Sequence, residues 1–159
     1  METAGHELVD NSLCSIARTL EVVGDKWTLL VLREAALGEE VTRFADFRSR
    51  LGIATDVLAG RLGALVEAGI MEKRPYQESG SRTRFGYHLT TAGEQLRLIL
   101  GALQQWGDDN RPPDVGPTVA RRSADQDRPV RVAFVDDTDA VVRLADVRFT
   151  PTAAYPSGA

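Results

Sequence analysis

Two histidines, His6 and His88, and one cysteine, Cys14, are the side chains of this sequence best suited to proton transfer or thiol chemistry. Neither histidine stands at motif spacing from a nucleophile and an orienting acid, so no enzyme is expected. A lone cysteine forms no internal disulfide and no cysteine-rich metal site, although it can join two copies of the chain. The acids Asp136, Asp137 and Asp139 fall between two apolar runs, where aspartate belongs to turn chemistry rather than to metal ligation. No metal and no cofactor is therefore expected. What remains is recognition chemistry. Thr55 and Asp56 open a helical stretch whose outer arc continues through Ala59, Gly60 and Gly63, with Arg61 on its flank. Lys73, Arg74, Arg82 and Arg84 surround two short alternating runs, while Lys26, Thr28, Arg43 and Arg48 lie near helix starts and ends. Asp56 has two readings: an acceptor for a base amino group, or a first-turn acid that favours the helix dipole.

The elements that must position these side chains follow from period and punctuation. Leu13, Ile16, Ala17, Leu20 and Val23 recur on one side of a helix over residues 12–23, stopped by Gly24. Asp25 is the expected N-cap of a second helix, 26–37, with Trp27, Leu30, Val31 and Ala35 inward and Gly38 as its stop. A third helix spans about 43–50. The turn Gly52-Ile53-Ala54 then leads into a fourth, 55–68, with Leu58, Leu62, Leu65 and Val66 inward and Gly69 at its end. A short helix, a tight turn containing glycine and a longer helix make a helix-turn-helix, whose second helix suits the DNA major groove.

Beyond residue 70 the period changes to two. Phe85, Tyr87 and Leu89 alternate with Arg84, Gly86 and His88, which predicts a half-buried strand paired with residues 70–77; Pro75 places that partner at a sheet edge. A hairpin following directly on the fourth helix is a wing. Thr91 and Glu94 have capping-box spacing, and Leu96, Ile99, Leu100, Leu103 and Trp106 form a stripe wider than a small domain needs, which predicts packing with the first helix against a second copy; the alternative is that the helix caps its own chain's core. Residues 111–129 turn to Pro, Asp, Arg and Gly and read as a linker. Residues 130–135 and 141–149 then read as a second hairpin, too small to stand alone, so it docks on the main domain, on the other subunit or on a partner.

Charge does not announce a nucleic-acid partner. The net charge is −4; residues 1–110 carry 12 Lys and Arg against 16 Asp and Glu, and residues 111–159 carry 7 against 7. Contact with DNA must therefore come from a local basic patch. No apolar run approaches the roughly 20 residues that span a bilayer, and the N-terminus lacks a signal-peptide pattern, so a soluble cytoplasmic protein with no membrane partner is expected.

Several short motifs, in order, closely resemble the HxlR-type winged-helix regulators: Cys14 before Ile16-Ala17-Arg18, the run Gly24 to Glu34, Arg43-Phe44-Ala45-Asp46-Phe47, Gly52-Ile53-Ala54-Thr55 and Leu58. Arg61-Leu62, Leu65, Glu67-Ala68-Gly69-Ile70 and Tyr87-His88-Leu89-Thr90 before Gly93 continue the resemblance, which covers about residues 12–107. It implies a homodimeric, bacterial-type transcriptional regulator. It also implies a signal, an electrophile, an oxidant or a small metabolite, received at a cysteine near the start of the first helix, where Cys14 stands. A helix dipole favours a thiolate at its N-terminus; the alternative is a small unreactive residue in the dimer seam. Aldehyde-sensing members carry a lysine two positions after the cysteine. This chain has Ile16 there, which does not support aldehyde cross-linking. Nor does the C-terminal segment hold the cysteine pairs that would support tail-bound zinc.

The expected fold is thus mainly α with a small β-wing: a winged helix-turn-helix dimerising through its first and last helices, plus a C-terminal β-hairpin extension. Residues 1–11 form a flexible N-terminus, 12–110 the DNA-binding and dimerisation domain, 111–129 the linker, 130–150 the extension and 151–159 a tail. The expected DNA contacts are Lys26, Thr28, Arg43, Arg48, Thr55, Asp56, Arg61, Lys73, Arg74, Arg82 and Arg84, with Cys14 as effector or redox site. Leu13, Ile16, Leu20, Leu96, Ile99, Leu100, Leu103 and Trp106 are the expected dimer contacts. The expected partners are double-stranded operator DNA, a second copy and a small-molecule effector. The rival reading is a winged-helix dimer that has lost sequence-specific DNA binding and binds a small molecule or a protein, in keeping with Asp56, Gly60, Gly63 and the acidic balance.

Overall fold

The structure, a computed structural model, describes residues 11–38, 42–77, 80 and 83–155. Helices α1 (Ser15–Val23) and α2 (Lys26–Leu37) meet at Gly24-Asp25. The Asp25 carboxylate caps α2, accepting from the N–H groups of Trp27 at 2.9 Å and Thr28 at 3.2 Å, as its position before the helix predicts. Helix α3 (Phe44–Leu51) ends on Gly52, whose φ of +60° and N–H bond to the Arg48 carbonyl close the helix in the left-handed conformation that glycine adopts without strain. Helix α4 (Thr55–Glu67) ends in the same way at Gly69 (φ +71°), where the Ile70 N–H reaches back to the Leu65 carbonyl at 2.9 Å.

The core is where these helices cross. Val31, Leu32, Phe47, Leu58, Leu62, Leu65 and Met71 are the largest fully buried side chains. Each of α2, α3 and α4 packs against the other two. The inward face of α2 is rotated from the expected one: Thr28, Val31, Leu32 and Glu34 are buried, while Trp27 and Leu30 are only half-buried.

The wing strands are β2 (Met71–Tyr76) and β3 (Arg84–Leu89), antiparallel, with Met71 opposite Leu89 and Tyr76 opposite Arg84. Periodicity did not foresee β1 (Thr42–Arg43), which pairs with β3 through Thr42 opposite Tyr87 and Arg43 opposite Gly86. The order β1-β3-β2 makes β3 central and β2 an edge, which accommodates Pro75. It also corrects the expected faces of β3. Gly86 and His88 are buried, Tyr87 and Leu89 half-buried, and Phe85 is exposed. Phe47 and Tyr87 meet edge to face at 6.2 Å, joining sheet to core.

The expected single helix after the wing is broken. Helix α5 (Thr91–Gln95) and helix α6 (Arg97–Asn110) meet at Leu96. The α5 cap is Thr90, one residue earlier than expected: its hydroxyl accepts from the Gly93 N–H and donates to the Gly69 carbonyl at 2.6 Å. Gly93 is required by a close approach, since a Cβ there would lie 2.2 Å from the Ile70 carbonyl oxygen. Leu96 and Leu100 pack on the core.

The rest of the chain folds back along α6. Within 111–129, Arg122 bridges to Pro129 around a turn that holds Asp127 at φ +50°, and Val130 donates to the Arg121 carbonyl at 3.0 Å. The Gln105 side chain both donates to the Val132 carbonyl and accepts from its N–H, each at 3.0 Å. Gln104 donates to the Val119 carbonyl at 2.5 Å, Arg121 pairs with Asp108 at 3.5 Å, and Val132 lies over Gly101. Residues 119–132 of the segment thus meet the main domain through α6. Its hairpin is shorter than expected, β4 (Phe134–Val135) with β5 (Val141–Val142), and a 3-10 turn over Leu144–Asp146 replaces the continuation of the second strand. Asp136 Oδ1 accepts from Thr138 N–H, Thr138 O–H and Ala140 N–H, the turn role expected of it.

Candidate nucleic-acid interface

Helix α4 turns Leu58, Leu62 and Leu65 inward, which leaves Thr55, Asp56, Ala59, Gly60 and Gly63 exposed along one arc. Apart from the adjoining residues and backbone of α4 itself, no described atom lies within 4 Å of where a Cβ at Gly60 or Gly63 would stand. Internal packing thus gives no reason for either glycine. Ala54, at the N-cap, supplies no side-chain bond, and Asp56 in the first turn is the nearby acid.

The basic side chains fall into two groups. Strand register places Arg43, Arg74 and Arg84 on one side of the sheet, with Tyr76 between them; the Arg43 guanidinium lies 4.8 Å from the Tyr76 ring centre. Sequence reasoning put Arg43 on the third helix, apart from the wing. Lys73 faces the other side, 5.7 Å from the Tyr87 ring centre, where burial raises the Tyr87 pKa. Arg82 lies outside the described residues. Arg48 is exposed in the last turn of α3, and Lys26 is exposed with its ammonium 5.0 Å from the Trp27 ring centre.

Two of the expected contacts have partners within the fold. Thr28 is buried, 5% exposed, because the rotation of α2 turns it into the core, so its hydroxyl reaches no groove. Arg61 pairs with Asp25 at 3.1 Å, binding α4 to the cap of α2. The pairing of residues 36 apart in sequence has no local signature.

Two helices carry exposed apolar side chains. Leu13, Ile16 and Leu20 of the first helical segment are each more than half exposed, as are Leu98, Leu103 and Trp106 on α6; Ile99 is half-buried. Of the expected dimer contacts, Leu96 and Leu100 are half-buried and pack against their own core. Leu98, not singled out from the sequence, is exposed. Cys14 is the N-cap residue of α1, half-buried, and its carbonyl accepts from the Arg18 N–H at 3.0 Å. The Arg18 guanidinium donates to the Ser15 hydroxyl at 3.3 Å. Among the described residues no group of three or more potential ligands is placed to hold a metal, and no helix is long and apolar enough to cross a membrane.

Comparison with known proteins joins this geometry to a family. The HTH-type transcriptional regulator Rv3095 of Mycobacterium tuberculosis, itself uncharacterised, is 44% identical over 108 residues, 68% of this chain and 66% of that protein's length. The crystal structure of PA1607, described as a candidate transcription factor, superposes with a TM-score of 0.74 at 34% identity, covering 89% of this chain and 96% of that one. The redox regulator HypR in its oxidised form has a TM-score of 0.55 at 29% identity, over 63% of this chain and all of that one. The family model for HxlR-like helix-turn-helix proteins matches residues 22–115. With a winged helix-turn-helix and this match over more than half its length, the chain belongs to the HxlR-like helix-turn-helix family of transcriptional regulators.

Proposed function

We propose that the protein is a homodimer that binds an inverted-repeat operator, with the two copies of α4 in major-groove half-sites about 34 Å apart. The single observation that carries this reading is the outer arc of α4, an exposed, cap-free first turn followed by two glycines that the fold does not use; a sheet face bearing Arg43, Arg74 and Arg84 supplies basic side chains. Bare backbone allows close approach to a sugar or a thymine methyl, while the arginines, Lys26 and Arg48 supply phosphate contacts. Thr55 and Asp56 then read base edges, Asp56 by accepting from a cytosine amino group. Leu13, Ile16, Leu20, Ile99, Leu103 and Trp106 form the seam between the two copies. Cys14 and a small-molecule site receive the signal; with one cysteine per chain, oxidation joins Cys14 to a small thiol or to the second copy's Cys14.

Selection of duplexes from a random library, followed by affinity against salt, tests this function. Enrichment of an inverted repeat with a steep salt slope is expected; no enriched sequence and flat, micromolar binding would overturn it. Asp56 and the net charge of −4 favour the second reading, a winged-helix dimer that binds a small molecule or protein without reading DNA sequence. That outcome of the selection is the one it expects.

A further inference from the structure

A cleft of about 280 Å³ lies where the end of α2, the base of the wing and the α5–α6 junction meet. Arg74, Tyr87, His88, Leu89, Glu94 and Arg97 contribute to its lining. His88 is only 6% exposed, and among the described residues its Nε2 has no hydrogen-bond partner. An orphaned buried polar nitrogen is unusual, because folding removes it from water without replacing the lost bond. Glu72, opposite it in the sheet, is taken by Arg74 at 2.5 Å. Arg97 is the second partly committed group. It makes two bonds to Glu94 and one, at 3.1 Å, to the Ala36 carbonyl at the end of α2. Three bonds leave two of the five N–H groups that a guanidinium carries.

We propose that this cleft binds a small organic carboxylate. One carboxylate oxygen accepts from His88 Nε2–H and the other from the unspent N–H groups of Arg97, while the hydrocarbon body lies toward Ala35 and Gly38 at the end of α2. Arg74 adds positive charge at the rim. Glu94 is then a resident competitor: its own carboxylate occupies the Arg97 guanidinium and repels an incoming anion. The chemistry suits a compact acid, since the volume is at the low end for small-molecule sites. The site rests on the effector part of the reading above and gives it a location, because a ligand held by both His88 and Arg97 bridges the wing to the first turn of α6.

The test is ring NMR of the full chain, whose only histidines are His6 and His88. His88 is assigned by loss of its signal in His88→Asn, and His6 serves as the internal reference. Acetate and benzoate are the probes, with benzamide as the uncharged isostere of benzoate. Saturable movement of the His88 signal with a carboxylate, and none with benzamide, is expected. Glu94→Gln, at an exposed position, should tighten binding severalfold, and Arg97→Lys should weaken it about tenfold, the loss of a bidentate contact. Neither probe moving His88 at about 10 mM, a range that reaches very weak ligands, would overturn the proposal. Equal movement with benzamide, or unchanged affinity in Glu94→Gln, would also overturn it. Operator selection is read separately: DNA binding without ligand binding removes this site and leaves the regulator, and the converse removes the regulator and leaves the site.

Discussion

Replacing Gly60 and Gly63 together by alanine separates what the fold needs from what a partner needs. Both positions lie within α4, and the space a methyl group would enter is empty at each. Each alanine should therefore deliver the helix-propensity gain without a steric cost, about 1 kcal/mol per site and about 2 kcal/mol for the pair. For a chain of this size that raises the melting temperature by roughly 4–8 °C. If the bare arc is where the groove comes closest, the same methyls hold the backbone away from DNA, and affinity for the selected operator should fall by at least about tenfold, some 1.4 kcal/mol. The slope of affinity against salt should stay unchanged, because no charge has been removed. Thermal melting gives the first quantity, and fluorescence anisotropy of a labelled duplex over a salt series gives the others. A stabilised double variant with undiminished affinity would refute the close-approach argument. A destabilised one would refute the claim that these glycines face open space.

Three further outcomes are expected. Arg84→Ala should weaken all duplexes alike and lower the salt slope by about one unit, read by the same anisotropy series; a change of base preference at one position would reassign Arg84 to base reading. Trp106→Asp, at the C-terminal end of the exposed α6 stripe, should shift the protein to monomer in sedimentation at micromolar concentration while leaving its circular dichroism intact. An unchanged mass would place the seam elsewhere. Asp136 is held below the ordinary aspartate pKa by the Thr138 hydroxyl and by the N–H groups of Thr138 and Ala140. Its contribution to the β4–β5 turn is therefore complete above the ordinary aspartate value and is lost as pH falls through the lowered one. The amide resonances of Thr138 and Ala140 should move together across that acid range and not above it.

Helix ends were legible because capping is local chemistry: Asp25, Gly52 and Gly69 each act within a few residues of themselves. The inward leucines of α4 were equally legible, being set by a single strong period. Errors arose where a second element intervened. A two-residue strand has no period, so β1 was invisible, and without it β3 read as a strand with one wet face. That misplaced His88 among solvent-facing residues and left Arg43 stranded on a helix. Leu96 carries no glycine or proline signal, so the local tightening between α5 and α6 went unseen, as did the packing of Leu96 and Leu100 against the core. Thr28 was misplaced for the same reason, the buried face of α2 being fixed by how helices cross, and the Arg61–Asp25 pair was equally unreadable from local sequence. Of the proposed interface, the outer arc of α4 and the basic wing came from pattern. The cleft at His88 and Arg97 came only from three dimensions.

Helix α6 meets the C-terminal segment through Gly101, Gln104, Gln105 and Asp108, a mostly polar strip that trades hydrogen bonds and one ion pair with it. Bonds of this kind are exchanged for bonds to water when the surfaces part, so the net cost of parting is small. Undocking also uncovers no large apolar surface on α6. The segment behaves in this respect like a latch rather than a weld. Among the parts of the fold, it is the one that can open by local fluctuation while the buried leucines of α2 and α4 stay closed.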